Sequence, residues 1–269
     1  MTQTGAPSET ARDLYVELLM RTLTHSLWDT PEPPASGIRR LLRRYAPSLF
    51  GHAVASAEDV AEGRAWPALA HTMIGLARMR NLRDCVQTAV REGVPGDCIE
   101  TGVWRGGACI FMRGILAAFG ETGRRVWVAD SFRGLPKPDP TRAPADRGDK
   151  HYTYDKLAVS IEQVRRNFER FGLLDEQVVF LEGWFKDTLP EAPIEKLAVC
   201  RLDGDLYEST DDALRHLYHR LSPGGFLIVD DYGAVPACRQ AVDDFRRAQG
   251  IDEPIVEIDW TGVYWRKRS

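Results

Sequence analysis

The chain has 269 residues, 43% of them hydrophobic, and its formal net charge at pH 7 is −4. This size suits a single α/β unit with an added helical segment, and the mild charge without a long basic run argues against nucleic-acid binding. No stretch approaches the roughly 20 apolar residues of a membrane span, and the polar start MTQTGAPSET lacks a signal-peptide core. The five cysteines form no Cys-x-x-Cys pair, and Cys98 and Cys200 lie in apolar strand-like runs, so we expect these two thiols to be reduced and buried in a soluble cytoplasmic protein.

The first part of the chain, residues 1–94, has the pattern of helices. Apolar residues recur at three- and four-residue spacing in residues 10–23 and again in residues 68–93. Pro67 precedes the second segment and Gly93 ends it, which are the positions that helix termini favour for these residues. We therefore predict a helical N-terminal extension over residues 1–94, followed by a core over residues 95–269.

From residue 95 onward, strand patterns alternate with amphipathic helical patterns. The strand candidates are CIETGV, RRVWVAD, QVVFLEG, LAVCRLDG, GGFLIVDD and the closing pair PIVEIDW and GVYWRK. Continuous apolar runs separated by helices predict a mostly parallel sheet with helices on both faces, and the closing pair predicts an antiparallel hairpin at its edge. The expected fold class is thus three-layer α/β. Ser209, with Asp212 after it, is predicted to cap the helix that follows the fourth strand.

Nearly every predicted strand ends in an acidic residue. The residues are Glu100, Asp130, Asp203, Asp230 and Asp231. In parallel α/β sheets, ligands bind beyond the carboxyl ends of the strands, near the point where the strand order reverses. Packing alone does not call for so many carboxylates at one edge, so we predict a ligand site there.

The turn after the first strand, ETGVWRGGA, departs from the dinucleotide motif Gly-x-Gly-x-x-Gly. A glycine turn alone is also common in ordinary tight turns. Asp130, however, ends the second strand, where a carboxylate accepts hydrogen bonds from a ribose diol. Glu100 can face a cationic part of the same ligand, and Gly102 leaves space for its approach. Together these residues predict a nucleoside cofactor.

The segment LIVDDYGAVP delivers two adjacent aspartates, Asp230 and Asp231, to the end of an apolar strand. Like charges at this position need a counter-charge. If the fourth and fifth strands are neighbours, Asp203 joins the pair, and three hard oxygen ligands suit Mg²⁺. The metal would then be the counter-charge. In the alternative, Asp231 caps the next element and Asp230 faces solvent, which leaves Asp203 unexplained.

Five segments, in order, closely resemble the macrocin O-methyltransferase family. They are DCIETGVWRGGACIFMR, VWVADSFRGLP, FLEGWFKDTLP, RLDGDLYEST and GGFLIVDDYG. The resemblance runs from about residue 66 to the C-terminus. It implies a Rossmann-like class I methyltransferase fold, the cofactors S-adenosylmethionine and Mg²⁺, and a deoxysugar hydroxyl of a macrolide- or aminocoumarin-like glycosylated natural product as methyl acceptor. It also implies that residues 1–94 shape the substrate pocket or contacts within a homo-oligomer.

The resemblance assigns roles to individual residues. The metal ligands are expected to be Asp203, Asp230 and Asp231, with Asp203 also the general base. Cofactor contacts are expected at Met73, Ile74, Glu100, Thr101, Gly102, Val103, Trp104, Asp130, Ser131, Ser160, Gly183, Trp184 and Asp203. Substrate contacts are expected at His151, in the long loop after the second strand, and at Tyr207 and Tyr232.

Two other functions remain open from the sequence. Asp203-Gly204-Asp205 fits the Asp-x-Asp motif by which metal-dependent glycosyltransferases hold a nucleotide sugar, although that reading leaves the other acidic strand ends unexplained. A catechol-type O-methyltransferase would carry a lysine shortly after the first metal aspartate. Here the residues after Asp203 read GDLY, which favours a sugar acceptor.

Overall fold

The computed structural model describes residues 9–28, 57–64 and 66–268. In this part of the chain a seven-stranded sheet has the order β3-β2-β1-β4-β5-β7-β6. The strands are β1 (Asp97–Thr101), β2 (Val126–Asp130), β3 (Val178–Glu182), β4 (Leu197–Leu202), β5 (Leu221–Val229), β6 (Val256–Glu257) and β7 (Val263–Arg266). The first five strands are parallel, and β7 pairs antiparallel with both β5 and β6. The predicted parallel sheet with an antiparallel edge hairpin is confirmed.

Helices cover both faces of the sheet. They are α1 (Glu9–Leu23), α2 (Ala57–Ala61), α3 (Leu76–Arg91), α4 (Gly107–Ala118), α5 (Ile161–Arg170), α6 (Phe185–Thr188), α7 (Tyr207–Leu217) and α8 (Pro236–Gln249). Side chains of β2 alternate between two hydrophobic clusters: Val128 packs in the cluster with α1, α3, α4 and α5, and Trp127 packs in the cluster with α7 and α8. Alternation of this kind follows from strand geometry and makes the sheet the middle of three layers, as predicted.

The N-terminal helix α1 packs on the core rather than standing apart from it. Leu19 and Met20 are buried in the same hydrophobic cluster as α3 and α4. A Cβ added to Gly114 of α4 would lie 2.2 Å from Leu19, so the glycine permits close helix packing. Much of the remaining predicted extension, residues 29–56, lies outside the described residues.

The helix predicted over residues 68–93 begins later than expected, at Leu76. Residues 68–75 form turns whose carbonyl groups are engaged elsewhere: Arg105 donates from Nη1 to the carbonyls of Ala68 (2.7 Å) and Ala70 (2.8 Å). The N–H of Gly107 donates to the carbonyl of His71 at 3.0 Å. These tertiary hydrogen bonds replace the intrahelical bonds that the apolar spacing predicts.

The closing hairpin is shorter than its sequence pattern. The pattern predicts a strand over residues 254–260, whereas β6 contains two residues. Asp259 accepts hydrogen bonds through Oδ1 from the N–H groups of Thr261 (3.0 Å) and Gly262 (2.8 Å), which turns the chain before β7. Asparagine and aspartate favour turns for this reason, so the side chain of Asp259 ends the strand early.

All five cysteines lie in the described part of the chain, where they are free and buried; burial was predicted for Cys98 and Cys200. They are Cys85, Cys98, Cys109, Cys200 and Cys238. Among the helices within residues 9–28, 57–64 and 66–268, none combines the length and apolar character needed to cross a membrane.

Candidate active site

A cavity of about 390 Å³ opens at the carboxyl ends of β1 to β4. It lies beside the boundary between β1 and β4, where the strand order reverses and where α/β sheets bind ligands. Its size is in the range of small-molecule pockets. Seven residues predicted to contact a cofactor line it: Met73, Gly102, Trp104, Asp130, Ser131, Trp184 and Asp203.

The turn after β1 is pressed against the end of β4. Gly102 has φ +87°, and a Cβ added there would lie 1.7 Å from the carbonyl oxygen of Asp203. The N–H of Asp203 donates to the carbonyl of Thr101 at 2.9 Å, so the two strand ends are bonded at this point. Gly102 lines the cavity, but the space that its missing side chain leaves is filled by Asp203. The expectation that this space serves ligand approach is therefore wrong, because a larger residue would first separate the two strand ends.

Asp130, at the end of β2, presents its carboxylate to the cavity in a fixed orientation. Oδ2 accepts from the N–H of Val103 and Oδ1 accepts from the N–H of Phe132, each at 2.7 Å. Each carboxylate oxygen retains a further lone pair that can accept from a ligand hydroxyl. Burial raises the pKa of Asp130, and these backbone N–H groups oppose the rise. The neighbouring Ser131 donates its hydroxyl to the carbonyl of Gly134 at 2.7 Å.

Asp203, Asp230 and Asp231 converge beyond the ends of β4 and β5. One carboxylate oxygen of each lies within 4.8 Å of those of the other two. Burial, followed by the charge of Asp230, raises the pKa of Asp203 well above its ordinary value. Burial, followed by the charges of Asp205 and Asp203, does the same for Asp231. Three hard oxygen donors, two of which resist ionisation in the absence of a cation, fit a divalent ion such as Mg²⁺.

Two arginines already supply a counter-charge to Asp230. Arg78 donates from Nη1 to Oδ2 of Asp230, and Arg201 donates from Nη2 to Oδ1. Burial alone would raise the pKa of Asp230, but Arg201 and Arg78 outweigh it and hold this pKa below its ordinary value. The expectation that a metal alone compensates the aspartate pair is therefore wrong for Asp230. The alternative in which Asp230 faces solvent is also wrong, because the residue is buried.

Glu100 lies beneath the cavity rather than on its wall. The residue is 2% exposed. Its Oε1 accepts from Nη1 of Arg201, and its Oε2 lies 3.0 Å from the thiol of Cys109. Burial raises the pKa of Cys109 well above its ordinary value, so the thiol remains protonated and donates. The cation that Glu100 faces is thus the Arg201 guanidinium, and the expectation that it faces the cationic part of a ligand is not what the geometry shows.

The other predicted cofactor contacts lie outside the cavity lining. They are Ile74, Thr101, Val103, Ser160 and Gly183. Ile74, Thr101 and Val103 are buried. Ser160 precedes α5, and its hydroxyl accepts from the N–H of Gln163 at 3.3 Å, which makes it a helix cap.

The predicted substrate residues do not line the cavity, and each is held by an acidic partner. Nδ1 of His151 lies 2.6 Å from Oδ2 of Asp149. The hydroxyl of Tyr232 donates to Asp243 at 2.9 Å. The hydroxyl of Tyr207 is 3.4 Å from Asp244. Their contact with a substrate stays a prediction.

The cap predicted for α7 at Ser209 is wrong. Leu206 occupies the N-cap position, and Ser209 lies within the helix on the cavity wall. The exposed N–H groups of Tyr207 and Glu208 are instead bonded by the side chain of Asp146, from the loop after β2. No local signal in the sequence around α7 indicates this partner.

A second wall of the cavity was not predicted from the sequence. Glu208 and Asp212, one turn apart on α7, both face the cavity. Arg142, from the loop after β2, donates to Glu208 and lies 3.8 Å from Asp212. The four-residue spacing of Glu208 and Asp212 could have indicated that both acids face the same side of α7. Nothing in the sequence around Arg142 indicates that it pairs with them.

The family model described as macrocin-O-methyltransferase matches residues 12–267. The chain belongs to the macrocin O-methyltransferase family. It is 54% identical over 261 residues to 8-demethyl-8-(2,3-dimethoxy-alpha-L-rhamnosyl)-tetracenomycin-C 4'-O-methyltransferase of Streptomyces olivaceus, covering 96% of this chain and 94% of the relative. It is 50% identical over 263 residues to mycinamicin III 3''-O-methyltransferase of Micromonospora griseorubida, covering 97% of this chain and 98% of the relative.

Among solved structures, the O-methyltransferase NovP superposes with a TM-score of 0.83 at 47% sequence identity, covering 96% of this chain and 100% of NovP. The Rossmann-like methyltransferase fold is thus confirmed for this member of the macrocin O-methyltransferase family. Membership makes the chain an O-methyltransferase, and the glycosyltransferase alternative drawn from Asp203-Gly204-Asp205 is set aside.

Proposed function

We propose that this chain uses S-adenosylmethionine and Mg²⁺ to methylate a hydroxyl of a deoxysugar on a macrolide- or aminocoumarin-like glycosylated natural product. The observation that carries the proposal is the convergence of Asp203, Asp230 and Asp231 beside a cavity at the strand ends. The names of the relatives support the acceptor class, since one acts on a rhamnosyl-tetracenomycin and another on mycinamicin III.

The cavity would hold the nucleoside cofactor, which supplies an electrophilic methyl group when bound. Asp130 is positioned to accept hydrogen bonds from ribose hydroxyls, because its carboxylate is oriented by two backbone N–H groups. Trp104 and Trp184 provide apolar surface on the cavity wall. By holding the methyl donor and the acceptor in line, these residues lower the entropic part of the barrier.

Asp203, Asp230 and Asp231 would hold Mg²⁺, which stabilises a developing alkoxide when it is bound beside a hydroxyl. This matters because a sugar hydroxyl is a much weaker acid than a phenol. Asp203 is the proposed general base: it lies on the cavity wall, and a carboxylate beside the metal can take the proton of the acceptor hydroxyl. A catechol methyltransferase would carry a lysine shortly after this aspartate. Here Asp203 is followed by GDLY, and the missing lysine supports a sugar acceptor.

The test is a methyl-transfer assay with demethylated glycosides of macrolide, aminocoumarin and tetracenomycin type. Each glycoside is paired with its sugar-free aglycone, and a simple catechol is included. Formation of S-adenosylhomocysteine and the mass of the fragmented sugar are measured with Mg²⁺ and with excess EDTA. We expect one methyl group on the sugar of at least one glycoside, only with Mg²⁺. Methylation of the catechol or an aglycone but of no glycoside would contradict the proposed acceptor.

A further inference from the structure

Arg201 lies on β4 two residues before Asp203, inside an otherwise apolar run, and its side chain is 1% exposed. A cation so deeply buried needs several anionic partners. Its Nη1 donates to Oδ2 of Asp203 at 2.8 Å and also to Oε1 of Glu100, while its Nη2 donates to Oδ1 of Asp230. One guanidinium thus joins three acidic residues that come from three different strand ends.

The sheet register explains why one side chain reaches all three. Arg201 pairs with Glu100 across β1 and β4 and with Ile228 across β4 and β5. Asp203 follows Arg201 by two residues, and Asp230 follows Ile228 by two residues. Residues two apart on a strand lie on the same face, so both aspartates lie on the face of the sheet that carries Arg201. The planar fork of a guanidinium presents several N–H groups at fixed angles, which a lysine ammonium does not.

We propose that Arg201 is a positioning residue for the acidic site: a permanent internal cation that holds Glu100, Asp203 and Asp230 at their spacing and compensates all three before a divalent ion binds. The part that concerns the divalent ion rests on the proposed function. The part that concerns the acids themselves does not.

The arrangement leaves the site short of positive charge. Arg78 is the second buried guanidinium at this site. It is shared between two aspartates: Nη1 contacts Asp230, and Nε lies 2.9 Å from Oδ2 of Asp259. Asp231 makes no ion pair with an arginine among the described residues. Arg78 and Arg201 together therefore compensate the cluster incompletely, and the remaining negative charge attracts a divalent cation to preformed ligands.

The first experiment tests Arg201 without any metal. Glu100→Gln, Arg201→Met and the double variant are unfolded by urea in EDTA, and the midpoints are compared with that of the wild type. Glu100 suits this cycle because it is neither a candidate metal ligand nor part of the cavity wall. If Arg201 compensates the acids, the double variant loses less than the sum of the two single losses, since a neutral residue 100 no longer needs the cation. Additive losses would overturn the proposal.

The second experiment tests the link to the divalent ion. The rise in thermal midpoint produced by saturating Mg²⁺ is measured for the wild type, Arg201→Met and Arg201→Lys. Arg113→Met is the matched control. Arg113 is a buried arginine whose Nη2 lies 2.5 Å from Oδ2 of Asp175, and this ion pair does not include any residue of the acidic site. We expect a larger Mg²⁺-induced rise in Arg201→Met, where the ion replaces a missing charge, and a rise close to that of the wild type in Arg113→Met. Arg201→Lys keeps the charge but not the fork, so its rise should lie between those of the wild type and Arg201→Met.

A rise in Arg201→Met that is equal to or smaller than that of the wild type would overturn the link between Arg201 and the ion. An Arg201→Met protein that folds only with Mg²⁺ is the expected result in a stronger form, and one that stays unfolded with Mg²⁺ would overturn the proposal. If Mg²⁺ raises the midpoint of no protein, the wild type included, the proposed metal function fails. The metal-free cycle then decides the role of Arg201 by itself.

Discussion

The carboxylate of Asp146 accepts a hydrogen bond at 2.6 Å from the backbone N–H of Tyr207, 61 residues further along the chain. Its second oxygen accepts from the N–H of Glu208 at 3.0 Å. One buried side chain in the loop after β2 therefore caps α7, the helix whose first turn borders the cavity. The order of this loop and the start of α7 are coupled through a single carboxylate.

Asp146→Ala is expected to lower the free energy of unfolding by about 1 to 2 kcal/mol, as the loss of a helix cap does. Asp146→Asn keeps one acceptor oxygen and should lose less. Urea unfolding gives the stability, and hydrogen exchange should accelerate at both Tyr207 and Glu208 in the alanine variant but at only one of them in the asparagine variant. Unchanged exchange at both residues would show that Asp146 is not the cap.

The loop over residues 132–156 is expected to become more ordered when cofactor and glycoside are both bound. It contributes Arg142 to one wall of the cavity, and its turn residues Tyr152 and Tyr154 are exposed. Long loops above strand ends commonly close over ligands. Hydrogen exchange in this segment should slow in the ternary complex, with α1 as the internal reference. Equal exchange in the free and ternary states would contradict a ligand-ordered loop.

Gly102→Ala is expected to destabilise the fold much more than Gly120→Ala. Both glycines have positive φ, +87° and +70°, so both substitutions strain the backbone by roughly 1 to 2 kcal/mol. Only at Gly102 would the added Cβ also meet backbone, at 1.7 Å from Asp203, whereas nothing lies within 4 Å of it at Gly120. Thermal unfolding of the two variants measures the difference. Equal losses would mean that β1 and β4 tolerate separation here.

The sheet was predictable because its signals are local. Buried parallel strands produce continuous apolar runs, and the acidic strand ends brought Asp130 and Asp203 to one cavity, as parallel topology requires. The edge hairpin was predictable for the same reason, although Asp259 shortens β6 through a side-chain bond that composition does not reveal.

Partners far apart in sequence were not predictable in this way. Arg201 sits in LAVCRLDG, where one cation does not change the apolar pattern of a buried strand. Arg78 lies on a helix more than a hundred residues before Asp230. The contacts of both follow from sheet register and helix packing, which a single sequence does not specify. This is why a metal was expected to be the sole counter-charge.

Asp212→Asn is expected to stabilise the protein at neutral pH. Burial raises the pKa of Asp212 to about 6 from its ordinary value of 3.8, and the charge of Arg142 only partly opposes the rise. A raised folded-state pKa means that stability is fully present below about pH 4 and is lost as the pH rises through 6. With allowance for solvent screening, the variant should gain about 1 kcal/mol at pH 7.5 and nothing at pH 4. Urea unfolding at the two pH values measures this, and a gain that is the same at both would refute the assignment.

The last prediction concerns Asp231, whose pKa is raised by burial and then by Asp205 and Asp203. As for Asp212, a raised folded-state pKa means that ionisation of Asp231 destabilises the metal-free protein as the pH rises. Asp231→Asn should therefore be at least as stable as the wild type in EDTA at pH 8. Removing one candidate ligand should at the same time abolish methyl transfer and leave S-adenosylmethionine binding unchanged.

Mg²⁺ separates these two effects of Asp231→Asn. At a Mg²⁺ concentration roughly 100 times Kd, the wild type should gain about 2.7 kcal/mol by linkage, and the variant should gain less. Asp187→Asn, at an exposed aspartate, is the control and should respond to Mg²⁺ like the wild type. Calorimetric titration and thermal unfolding with and without Mg²⁺ give the comparison. Full methyl transfer by the wild type in excess EDTA would overturn the metal mechanism, and the raised pKa of Asp231 would then have no cation to relieve it.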